Sequence, residues 1–321
     1  MKKLNFIIKC GLALLLLSFY SCESWLNVTP SDRLSEEMLF NDREGFVKAL
    51  NGVYIELNTN ELYGRNLTAG ALDVMGQYYS VASSSHAFYN YGGLVYTGND
   101  EKALFDNMWQ KCYAVIACCN TIIEKCDENK AGLSPVWRGS IKGEALALRA
   151  MLHFDMLRLF GPLTSELDKE SIPYQTNSDQ TVTPLLSGSE VVGLILDDLK
   201  NAVGLLKDTD PYFVEEEFSD TDLNYRRFRM NYFAAKGLMA RVQLWGGDKE
   251  KAAATAKEVI AEGQAEGAEF FPFVTNSEAT SSNPDRVFYS EVLFGTYHSS
   301  REKLHEDLFA PTLESTSILT L

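Results

Sequence analysis

The sequence predicts an all-α protein, a scaffold of long helices carrying long aromatic-rich loops. Three observations carry the prediction. Apolar residues recur at steps of three and four in one segment after another, which is the spacing of a single helix face. Several of these segments begin and end at helix punctuation. The last two are joined by a tight Gly246-Gly247-Asp248 turn, so they must run antiparallel.

The first helix is expected from about Asn41 to Leu57, with Phe46, Leu50, Val53 and Leu57 on one face. The stretch Asn58 to Asp100 has no sustained helical period and is rich in Gly, Ser, Asn and Tyr. A second helix runs from about Glu101 to Cys126, its face made by Leu104, Met108, Cys112, Val115, Cys119, Ile122 and Cys126. Ser134 and Pro135 open the third as N-cap and first helical residue, and Gly161-Pro162 closes it. Its stripe is Ile141, Ala145, Leu148, Leu152, Met156 and Leu159. The fourth lies near Ser189 to Leu206, with Val192, Leu196, Leu199, Val203 and Leu206. Met230 to Trp245 and Lys249 to Gly263 form the final pair, with Ala240, Ala252 and Ala256 expected where the two backbones approach. This hairpin resembles a tetratricopeptide-type unit. Beyond Gly263 the pattern dissolves into aromatic-rich loop and short apolar runs.

Composition bounds the function. Of 321 residues, 45% are hydrophobic and 23% charged, the balance of a folded globular protein. There are 44 acidic against 29 basic residues, a net charge of -15, and three of the lysines fall in the first 21 positions. Such a chain repels phosphate backbones and anionic lipid, so no nucleic-acid partner is expected and membrane attachment needs another cause. The N-terminus supplies one. Met1-Lys2-Lys3, the apolar run Gly11 to Leu17 and the small-residue site ending at Ser21-Cys22 have signal-peptide anatomy over residues 1–21. The cysteine directly after it resembles a lipobox, although Phe19 and Tyr20 stand where leucine and a small residue are usual. Cys22 is therefore the expected lipidation site, and 22–40 a lipidated leader. Acyl chains anchor by hydrophobic burial without help from charge.

Cys112, Cys119 and Cys126 lie seven apart on one helix face, about 10 Å from one to the next, beyond disulfide reach. With Cys118 they read as small core hydrophobes. No Cys-x-x-Cys or histidine pair suggests a metal, and no cofactor motif is present. No nucleophile elbow, His-Glu-x-x-His or phosphate loop is present, so no catalytic residue is assigned. Glu215-Glu216-Glu217, Asp208-Thr209-Asp210 and Asp220-Thr221-Asp222 share one polar loop. The glutamates read as a solvated charge run; the two Asp-Thr-Asp pairs lack EF-hand spacing. His153, inside the third helix, reads as a satisfied structural residue.

Five stretches together resemble the SusD/RagB family of outer-membrane nutrient-binding lipoproteins. They are Ser21-Cys22 with Trp25 to Pro30; Phe46 to Tyr54; Trp109, Tyr113, Ile116 and Asn120 to Ile123; Gly143 to Ala150 running on to Pro162; and Ala234 to Ile260. The resemblance implies a tetratricopeptide-like scaffold displaying loops for glycan. It also implies a lipid-anchored place at the outer membrane facing the cell surface, and delivery of oligosaccharides to a TonB-dependent SusC-like transporter. Family members extend further at the C-terminus, and no closing helix or strand is recognisable after Pro311. The domain at 41–321 is therefore expected to be incomplete there.

The expected binding surface is Gly76 to Tyr96. Sugars present apolar C–H faces ringed by hydroxyls, which aromatic faces stack on and amides hydrogen-bond. Tyr78, Tyr79, Tyr89, Asn90 and Tyr91 are the glycan-binding residues on this ground, with Tyr297 and His298 as weaker candidates. Two alternatives accompany the reading: a protein-interaction scaffold of tetratricopeptide type, and a surface glycosidase, which needs two carboxylates across a cleft.

Overall fold

The computed structural model describes residues 36–179, 181–214, 218, 223, 225–265 and 268–321. The proposed signal peptide, Cys22, the leader up to residue 35, the Glu215–Glu217 run, Asp220 and Asp222 lie outside these residues.

Six long helices build the scaffold: α1 (Arg43–Leu57), α2 (Asn99–Glu128), α3 (Pro135–Phe160), α4 (Gly188–Thr209), α5 (Tyr232–Trp245) and α6 (Lys249–Gly263). Each has a local cause. The Asp42 carboxylate caps α1 by accepting from the Gly45 N–H at 2.8 Å. Ser134 caps α3, whose Pro135 has no N–H to leave unpaired. Ser187 and Glu190 form a reciprocal capping box on α4, and Asn231 and Asp248 cap α5 and α6. Asn129, in the left-handed region at φ 45°, ends α2.

From α2 onward each helix packs against its neighbours in sequence, with the α3–α4 contact the most extensive. The apolar stripes of α1 and α3, and that of α2 from Cys112 onward, lie in one buried core. The α4 face is rotated from the expected one. Val191, Ile195, Leu199, Ala202 and Leu206 are buried, while Val192, Leu196 and Val203 sit at the edge. This rotation brings Asp198 inward to meet Arg149 of α3. Cys112, Cys119 and Cys126 are wholly buried free thiols. Cys118 is corrected to an exposed position, one residue off the buried face.

Close packing of α3 on α4 depends on small residues. A β-carbon at Gly143 would stand 2.7 Å from Leu206 Cγ, and Leu206 is fully buried and cannot retreat. Gly143→Ala is expected to cost about 1–3 kcal/mol through overpacking, read from urea denaturation. In the α5–α6 hairpin Ala240 and Ala252 are buried as expected, with Ala256 at the edge.

A two-stranded antiparallel ribbon, β1 (Glu170–Pro173) with β2 (Leu185–Ser187), spans the α3–α4 connection. The C-terminal segment differs from expectation. A short helix, α7 (Arg301–Leu308), forms, and Ser80 pairs with Thr320 in an antiparallel bridge. Leu308 and Leu319 join Ala71, Val74, Phe88 and Tyr91 in a second, smaller core. Only Leu304 and Leu308 of α7 are apolar, too few to make a legible stripe. Among the described residues no helix is long and apolar enough to cross a membrane.

Candidate functional site

The segment from Gly76 to Tyr96 is a folded loop held at both ends. Gln77 and Leu94 adopt positive φ of 61° and 55°, uncommon for residues with a β-carbon. The Gln77 side-chain amide donates to the Gly92 carbonyl at 3.3 Å, which draws Tyr78 toward the Tyr89–Tyr96 stretch. Beneath lies the small core, where Phe88 and Tyr91 meet edge to face at 5.9 Å.

The five expected contact residues separate into two groups. Tyr78 is 72% exposed and Tyr89 45% exposed, and with Leu94, Val95 and Tyr96 they form an open aromatic and apolar surface. Asn90 is exposed, but its side-chain amide donates to Glu101 at 2.8 Å and so ties the loop to α2. Tyr79 is half-buried, its ring 5.2 Å from Phe309 of the C-terminal segment. Tyr91, the fifth, is 3% exposed, and its ring packs edge to face on Phe105 of α2. An alternation of buried and exposed aromatics is what a surface loop anchored by its own side chains requires.

The weaker candidates sit elsewhere. His298 Nε2 lies 2.6 Å from the Gly64 carbonyl and pins two loops together. Tyr297 is exposed and stands on the wall of a cavity of about 460 Å³ at the end of α1. Asn51, Tyr54, Asn58, Tyr225, Phe228 and Arg229 complete most of that wall.

Behind the cavity runs a buried ionic cluster. Glu144 of α3 is fully buried and meets Arg226 and Arg229, while Asp210 accepts from Arg226 Nε and Nη2 at 2.9 and 2.8 Å. Asp210 also accepts from the Tyr232 N–H, at the start of α5. Burial alone would raise the Glu144 pKa, but Arg229 and Arg226 outweigh it and hold the carboxyl below its usual range. Tyr54 donates its hydroxyl proton to Glu144 at 2.8 Å and accepts from the Met230 N–H at 2.7 Å. Burial raises the Tyr54 pKa well above normal, so the phenol stays neutral.

A second cluster fixes the β1–β2 connection. Arg149 grips Asp198 with two bonds of 2.7 Å and reaches Asn120 at 2.8 Å. Asn120 in turn donates to the Asn177 carbonyl. His153 Nε2 accepts from the Gln175 N–H, its Nδ1 faces the Arg149 carbonyl at 3.0 Å, and its ring stacks on Tyr174 at 4.0 Å. Burial holds the His153 pKa down to about 3, so the ring is neutral. These groups are structural, as read for His153. Among the described residues no group of three His, Cys, Asp or Glu is placed to hold a metal ion.

The fold and this surface define a class, a stack of antiparallel helices presenting aromatic loops and capped polar clusters. The chain belongs to the SusD-like family: the family profile described as "Starch-binding associating with outer membrane" matches residues 24–244. SusD-like protein P2 of Formosa agariphila is 25% identical over 265 residues, 80% of this chain and 46% of that protein. A SusD-like carbohydrate binding protein from Bacteroides vulgatus superposes with a TM-score of 0.58 at 25% identity, over 74% of this chain and 47% of that one. A SusD superfamily protein from Bacteroides fragilis shares the fold with a TM-score of 0.61 at 17% identity, over 82% and 57%. The chain thus spans about half the length of these relatives.

Proposed function

We propose that this chain captures oligosaccharides at the bacterial surface and passes them to a TonB-dependent SusC-like transporter, held at the outer membrane by a lipid on Cys22. Binding is equilibrium capture with no covalent step. The observation that carries the reading is the exposed aromatic surface of Tyr78 and Tyr89 on a loop fixed from below by Tyr79, Asn90 and Tyr91. Rigid aromatic faces bind the apolar face of a sugar at little ordering cost. Family membership supports the ligand class and the membrane address.

The catalytic alternative has less support. A general acid needs a raised carboxyl pKa, and the carboxylate behind the cavity, Glu144, is lowered by its arginines, so it is unsuited to that role. One observation favours protein docking: an apolar groove of about 490 Å³ over α5 and α6, where Leu244 and Ile260 are exposed.

Titration calorimetry separates these readings. Tyr78→Ala/Tyr89→Ala is expected to weaken maltoheptaose binding about 5- to 150-fold, from two lost stacking contacts of roughly 0.5–1.5 kcal/mol each. An unchanged affinity would remove the loop as the site.

A further inference from the structure

The α5–α6 hairpin carries a second apolar face, separate from the one it buries. One side of α5, through Phe233, Leu238 and Val242, lies in the main core. Another side, with Gly237, Ala240 and Leu244 at steps of three and four, lines an open groove along α6. Ala252, Ala256, Val259 and Ile260 form the α6 side of that groove, and Leu293 closes it from the segment that follows. The groove holds about 490 Å³, and Leu244 and Ile260 on its walls are 57% and 51% exposed. The solvent side of a surface helix is ordinarily polar, so a continuous apolar one marks an interaction site.

The lining defines the kind of partner. Among the described residues no aromatic ring, hydroxyl or side-chain amide lines the groove, so it offers a sugar neither a stacking face nor hydrogen bonds. Its floor of alanines lets another backbone come close, while Leu244 and Ile260 stand to either side. An amphipathic helix fills such a shape with apolar residues at i, i+3, i+4 and i+7. Charge sets the sign of that helix. Arg241 and Lys249 are the charged residues on the wall; both are exposed, and neither forms an ion pair among the described residues. The nearby acids Glu258 and Glu262 are taken by Lys236, and Asp248 by Lys251. In a chain of net charge -15 this is a local reversal of sign. A second copy of the chain fits poorly. A twofold contact sets the patch against itself, which supplies cations and no acid to pair with them.

We propose that the α5–α6 groove docks an acidic amphipathic helix of a partner protein, with its apolar ridge between Leu244 and Ile260 and its carboxylates on Arg241 and Lys249. The groove shares no residue with the Tyr78–Tyr96 surface, and the proposal stands independently of glycan capture.

The test is fluorescence anisotropy of the whole chain with two labelled helical peptides that carry the same leucine stripe, one flanked by glutamates and one by lysines. The glutamate peptide is expected to bind saturably, about tenfold or more tighter than the lysine peptide, and to weaken as salt is added. Leu244→Ser/Ile260→Ser should cut its affinity about tenfold or more, and Arg241→Glu/Lys249→Glu should reverse the preference between the peptides. The four side chains are exposed, so both variants are expected to fold normally, with circular dichroism as the check. No binding of the glutamate peptide overturns the proposal, as does equal binding of the two peptides or an affinity unchanged in Leu244→Ser/Ile260→Ser. A wild-type dimer that dissociates in Leu244→Ser/Ile260→Ser, seen by analytical ultracentrifugation, also overturns it, because a second copy then fills the groove. Maltoheptaose affinity is expected to be unchanged in both variants. A loss there would assign the groove to glycan capture and overturn the docking of a helix.

Discussion

Glu144→Ala is expected to destabilise the scaffold by about 3–5 kcal/mol, measured by urea denaturation followed by circular dichroism. That is the cost of breaking a buried ion pair from one side. Glu144 is fully buried, and its two oxygens serve Arg226, Arg229 and Tyr54 together. Removing them leaves the buried Arg229 without its carboxylate partner, while Arg226 keeps its two bonds to Asp210. Glu144→Gln keeps an acceptor for Tyr54 while losing the charge, so its loss is expected to be smaller. A change below about 1 kcal/mol for Glu144→Ala would mean that water enters the cluster and solvates the arginines.

Stability is expected to fall as the pH drops below 6.5, with His153 responsible for the first part of the fall. In the fold its pKa is about 3, below the ordinary 6.5, so the unfolded chain binds the proton first. A depressed folded pKa gives stability that is complete above the unfolded pKa and is lost as pH falls toward the folded one. The window therefore runs from 6.5 down to about 3. Within it the slope attributable to His153 is about 1.4 kcal/mol per pH unit. Protonation is opposed chiefly by burial, and also by the neighbouring Arg149 charge. His153→Gln should flatten the slope between pH 6.5 and 5 by roughly 2 kcal/mol in total. The slope is the readout, because the substitution also changes the bond to the Gln175 N–H. Equal slopes in the two proteins would show that the His153 pKa is not depressed by the fold.

Much of this architecture was legible in the residues because packing and propensity agree along the long helices. Ser134 caps its helix as read, and Leu50, Cys119 and Leu148 at the centres of their stripes are fully buried. The α4 face was misplaced by one position because Val192 and Leu196 are as apolar as Val191 and Ile195. What decides between them is the inward turn of Asp198 to a residue on another helix. The polar clusters carried a signal that periodicity alone overlooks. Glu144 and Arg149 lie three or four residues from Ile141, Ala145, Leu148 and Leu152, so they interrupt an apolar face and require buried partners. The partners, Arg226, Arg229 and Asp198, are long-range and have no local spacing to reveal them.

The binding loop was legible as a composition and not as a geometry. Tyr89 and Tyr91 are indistinguishable in sequence, yet one faces solvent and the other fills a core built with Leu308 and Leu319. The cavity was invisible for the same reason. Asn51 and Asn58 lie two turns apart along one helix, while Phe228, Arg229 and Tyr297 come from segments far along the chain.

The measurement that bears most directly on glycan capture is titration of the purified, folded chain with maltoheptaose, followed by chromatography of the ligand recovered afterwards. Saturable heat with the oligosaccharide returned intact is the predicted result. A folded protein that gives no heat, or one that returns shortened sugars, would contradict capture without chemistry.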